Sequence, residues 1–96
     1  MNELKPCYPV SENAKAHTHI DSATYDAMYK QSIEQPDVFW GKQAEEFIDW
    51  YQPWDTVSKV DLKNSEINWF SGAKLNVSYN CIDRHLATKA NDTAII

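Results

Sequence analysis

The chain has 96 residues, 43% of them hydrophobic and 24% charged, with a net charge of −5; that is one domain at most, burying only about 60–65% of the surface its unfolded form exposes. An acidic balance without a basic stripe argues against a phosphate backbone as partner, and no apolar run approaches the roughly 18 residues of a membrane span. The opening MNELKPCYPV lacks the charged-then-apolar pattern of a secretory signal, which predicts a cytoplasmic protein with Cys7 and Cys81 as unbonded thiols.

Residues 1–20 carry two of the prolines, His17 and His19, and few large apolar side chains. With little to bury against the entropy of ordering, they read as an irregular or mobile leader. From Asp21 the pattern changes. Tyr25, Met28, Tyr29, Ser32 and Ile33 fall on one face of a helix, with Asp21, Ser22 or Thr24 to cap its start. Pro36 stops it, since a proline disfavours helical geometry in the residue before it.

Pro36 also suits the first turn of a second helix, where its missing N–H is no loss, and Asp37 complements the positive end of that helix dipole. Phe39, Trp40, Gln43/Ala44, Phe47, Ile48 and Tyr51 repeat at helical spacing as far as Pro53. Trp50 and Trp54 add to the same stretch, and overall aromatic content is 12% with four Trp. So many rings in so small a chain imply either an unusually aromatic core or a face meant to sit against something else.

Beyond residue 54 the helical period is lost. DTVSKVDL carries β-branched residues, and Gly72 between the runs EINWF and KLN is placed as in a tight β-turn, which predicts a short hairpin or two small strands. Asn76 or Ser78 caps a third helix with Leu75, Tyr79, Ile82 and Leu86 on one face. TAII at 93–96 reads as the start of a buried strand whose partner is not evident, as in a piece of a longer chain. The expected fold is therefore a small α+β unit, mainly helical with about three helices, a short hairpin and a C-terminal strand.

Few residues suggest chemistry. His17 and His19 have Asp21 as the nearest third ligand, and a metal needs fixed geometry that a leader does not supply. Asp83, Arg84 and His85 are consecutive on a helix and point about 100° apart; Arg84 reads as the most exposed and free to pair with a carboxylate elsewhere. Cys81 adjoins the apolar face and reads as core packing. Ser32, Ser58, Ser65, Ser71 and Ser78 have no histidine at a suggestive spacing. Asp37, Glu45 and Glu46 read as the solvated side of the second helix. The triplets at Asn76 and Asn91 match a glycosylation acceptor by chance.

Taken together, YDAMYKQSIEQPDVFWGKQAEEFIDWYQPWDTV (25–57), INWFSGAKLNVSYNCIDRHL (67–86) and NDTAII (91–96) resemble the N-terminal domain of AMP-forming acetyl-coenzyme A synthetases. The resemblance runs from about residue 21 to the end, giving a leader at 1–20 and a domain at 21–96. It implies a parent enzyme that activates acetate with ATP and Mg²⁺ to acetyl-adenylate and passes the acetyl group to coenzyme A. The family's phosphate-binding loop and the lysine of its mobile C-terminal domain are expected beyond residue 96. No catalytic, cofactor-binding or metal-binding residue is therefore carried onto this sequence. The implied partner is the large adenylate-forming domain of the same chain, with self-association expected of this piece alone. A propionyl- or acetoacetyl-CoA synthetase, and a stand-alone module that docks through its aromatic face, are the alternatives.

Overall fold

The computed structural model describes residues 8–96; Cys7 lies outside them. Ser11 accepts a hydrogen bond from the backbone N–H of Ala14 and starts a short helix, α1 (Glu12–His17). The leader thus contains a helical turn and a half where its composition suggests irregular chain. Helix α2 (Ser22–Glu34) begins at Asp21, whose carboxylate accepts from the backbone N–H of Thr24 at 2.8 Å. It stops at Gln35, directly before Pro36, as the proline dictates.

Helix α3 (Pro36–Phe47) starts without a side-chain cap, with Pro36 in its first turn. It ends earlier than the aromatic spacing predicts. Ile48 is already extended, at φ −127° and ψ 131°. The indole N–H of Trp50 folds back to donate to the Ala44 carbonyl oxygen at 2.9 Å, a second bond beside that from the Ile48 N–H at 3.2 Å. Tyr51 and Gln52 then leave the helix to pair with Lys74, so Tyr51 is not on the helical face.

Strands β1 (Thr56–Asp61) and β2 (Glu66–Ser71) form an antiparallel hairpin, with Ser58 opposite Trp69 and Asp61 opposite Glu66. Its turn lies at 62–65, not at Gly72. The Asp61 carboxylate makes it by accepting from the backbone N–H groups of Lys63 and Asn64 and from the Asn64 side-chain amide, a turn chemistry to which Asp and Asn are suited. Ser65 closes it in the left-handed region at φ 57°. Gly72 sits one residue past β2 at φ 81°. There the chain bends so that Gln52 and Lys74 form a further antiparallel bridge.

The expected third helix is broken into α4 (Val77–Cys81), a 3-10 turn at Asp83–His85 and α5 (Leu86–Lys89). Asn76 caps α4 by accepting from the Tyr79 N–H. The break follows at Ile82, at φ −127° and ψ −67°. Residues 93–96 form no strand, and Ile95 and Ile96 are fully open to solvent; the C-terminal strand expected from TAII is absent. The class is still a small α+β fold, with the two-stranded sheet as its β part.

Candidate functional site

Helix α3 meets the hairpin through its smallest residues. Gly41 and Ala44, one turn apart, are the two buried positions of α3. A Cβ placed on Gly41 would lie 3.4 Å from a Val57 methyl and 3.8 Å from the Trp54 ring, ordinary van der Waals contact, so helix and strand meet here across a seam with room for a methyl group. Around this seam Trp50, Trp54 and Phe70 form a closed triangle, with ring centroids 5.1–5.5 Å apart and mostly edge-on; such pairs contribute about 0.5–1.5 kcal/mol beyond the area they bury. Phe70 reaches it from a left-handed backbone at φ 49°, a conformation that costs a non-glycine residue about 1–2 kcal/mol. The strand pairing skips Val57 and Phe70 and resumes in the same register on either side.

A second knot joins α4 to the end of α3. The Asn80 side-chain amide pairs with the backbone of Asp49 in both directions: Oδ1 accepts from the Asp49 N–H at 2.7 Å, and Nδ2 donates to its carbonyl oxygen at 2.9 Å. Nδ2 also donates to the Asn76 carbonyl oxygen. Arg84 donates to the Asn80 Oδ1 at 3.1 Å and lies 3.7 Å from the Asp49 carboxylate. Arg84 is therefore half-buried and paired within the chain, and Asp83 is the exposed member of the trio. Asp83, Arg84 and His85 do not converge on a point.

The other singled-out residues are placed as follows. Cys81 is an exposed free thiol, which corrects the core-packing expectation: no other element of the described residues buries it at the last turn of α4 where it sits. The His17 ring N–H donates to the Asn13 carbonyl oxygen within its own helix, Asp21 is engaged in its cap, and among the described residues no three His, Cys, Asp or Glu side chains cluster. Ser58 donates to the Asp37 carboxylate, tying the start of α3 to β1, and Ser32 donates to the Tyr29 carbonyl oxygen. Glu45 and Glu46 face solvent. Asp21 and Asp61 have their carboxyls held below the ordinary aspartate value, chiefly by side-chain hydrogen bonds from Thr24 and Asn64 respectively and next by backbone N–H groups of the same residues.

What remains is a broad aromatic and aliphatic surface. Ala44 is the buried apolar side chain among the described residues. On α2, Met28 is half-covered by α3 while Tyr25, Tyr29 and Ile33 stay 59–65% exposed. On α3, Trp40 and Phe47 are also exposed, and with Ile48 and Phe70 of β2 they line a shallow apolar hollow. Tyr25 and Tyr29 stack at 6.2 Å and, with Ile20, Met28, Phe39 and Trp40, line an open apolar groove of about 350 Å³. The chain exposes 8869 Å², against about 5,700 Å² for a compact folded chain of its mass. The aromatic residues of 39–54 thus divide between the two alternatives: Trp50 and Trp54 enter a small local core with Phe70, while Trp40, Phe47 and Tyr51 remain exposed. Gly41 and Asn80 are the organising residues that sequence reasoning missed. Small residues one helical turn apart at 41 and 44 were a usable signal for the first; nothing in the sequence marks the second.

The described residues define a small α+β packing module whose apolar faces are largely uncovered. The chain belongs to the acetyl-coenzyme A synthetase N-terminus family, whose model matches residues 25–81. It is similar along its full length to the acetyl-coenzyme A synthetases of Alkalilimnicola ehrlichii, at 51% identity over 96 residues, and of Magnetococcus marinus, at 50% over 96 residues. That of Saccharophagus degradans is 53% identical over 89 residues, 93% of this chain. The chain spans 14–15% of the length of these relatives. Among the described residues no helix is long and apolar enough to cross a membrane.

Proposed function

We propose that this chain serves as the N-terminal segment of an AMP-forming acetate–CoA ligase, a cytoplasmic enzyme that makes acetyl-CoA from acetate, ATP and CoA by way of acetyl-adenylate. Its role is structural. Tyr25, Tyr29, Ile33, Trp40 and Phe47 pack against the large adenylate-forming domain of the same polypeptide, and the residues described here neither touch the reacting atoms nor hold ATP, Mg²⁺ or CoA. The observation that supports this reading is the mismatch, among the described residues, between a single buried apolar side chain, Ala44, and the many large exposed rings. Covering a large apolar side chain is worth about 1.5–3 kcal/mol, so a domain laid over several of these would supply the stability that the local core lacks. Left alone at high concentration, the same surface drives self-association.

The test is acetate-dependent exchange of pyrophosphate into ATP by the purified 96-residue chain. The expected result is no exchange above a protein-free blank; measurable exchange would overturn the non-catalytic role. Gel filtration across a wide concentration range should show association as concentration rises, and a monomer throughout would remove the self-association.

A further inference from the structure

We draw no further inference here: the strongest candidate, the open apolar groove between α2 and α3 lined by Ile20, Tyr25, Met28, Tyr29, Phe39 and Trp40, belongs to the face already assigned to intramolecular packing, and nothing in the structure shows what else covers it.

Discussion

The chain has two glycines, and replacing each by alanine should move stability in opposite directions. Gly41 lies inside α3 with ordinary helical geometry, and its new methyl would meet Val57 at 3.4 Å and Trp54 at 3.8 Å, which is van der Waals contact. Glycine inside a helix is about 0.5–1 kcal/mol worse than alanine, so Gly41→Ala should stabilise α3 by about that amount. Gly72 has φ 81°, and a Cβ there would sit 2.3 Å from the Asp55 carboxylate. The carboxylate is exposed and can swing aside, so the backbone strain dominates; a non-glycine residue held left-handed costs about 1–3 kcal/mol. Amide hydrogen exchange reads both effects locally without requiring a cooperative global transition. The reporters are the Ile48 N–H, bonded to Ala44, and the Asp55 N–H, bonded to Ser71. At tenfold per 1.4 kcal/mol, the first should exchange about two- to fivefold more slowly in Gly41→Ala. The second should exchange roughly thirtyfold faster in Gly72→Ala for a loss of about 2 kcal/mol. Faster exchange of Ile48 in Gly41→Ala would mean that the α3–β1 seam has no room for a methyl. Unchanged exchange of Asp55 in Gly72→Ala would mean that the bend after β2 does not need its left-handed residue. Either result refutes the packing described for that position.

Asn80→Ala removes the reciprocal pairing with Asp49; these bonds are exposed and partly replaced by water, so the expected loss is about 1–2 kcal/mol, read as faster exchange of the Asp49 amide. Lys59→Ala is the matching control, because its ion pair with Glu66 is exposed on both sides and such pairs contribute under about 1 kcal/mol. Trp50→Phe keeps a ring in the aromatic triangle but deletes one of the two donors to the Ala44 carbonyl, leaving the Ile48 N–H; it should weaken the end of α3 by about 1 kcal/mol, seen as faster exchange at Ile48. For Asp21 and Asp61 the folded values lie below the unfolded ones. Their contribution is therefore fully present above the unfolded aspartate value of about 3.9 and lost as pH falls through the depressed folded values. A carboxyl-detected NMR titration should find both midpoints below 3.8, and midpoints at or above it would contradict the cap and turn geometry.

The elements legible from the sequence were those governed by local rules. Pro36 separates two helices because its ring Cδ crowds the residue before it and disfavours helical geometry there, and Asp21 caps because a short carboxylate reaches the free N–H groups of the first turn. The elements misread were those where a distant partner outweighs spacing. The period from Phe39 to Tyr51 continues past Phe47, yet the Trp50 indole caps Ala44 and Lys74 captures Tyr51 and Gln52. The spacing of Leu75, Tyr79, Ile82 and Leu86 suits one helix, but Asn80 spends its amide on Asp49 and on the carbonyl four residues back, and the helix breaks at Ile82. Gly72 is a strong turn signal and does mark a bend; the hairpin itself turns on the weaker Asp61–Asn64 pattern. For the surface, the sequence told how many rings there are but not which face of α3 the hairpin takes. Two small residues, Gly41 and Ala44, decide that, and they leave Trp40 and Phe47 on the outside.

Photochemical carbene labelling of this chain, alone and mixed with the adenylate-forming remainder of an acetate–CoA ligase expressed separately, asks directly whether these rings are one side of a joint. Protection of Tyr25, Tyr29, Trp40 and Phe47 on mixing, with Glu45 and Glu46 labelled as before, is the predicted outcome. Equal labelling of the four rings in both samples, under conditions where the two pieces co-migrate on gel filtration, would contradict it.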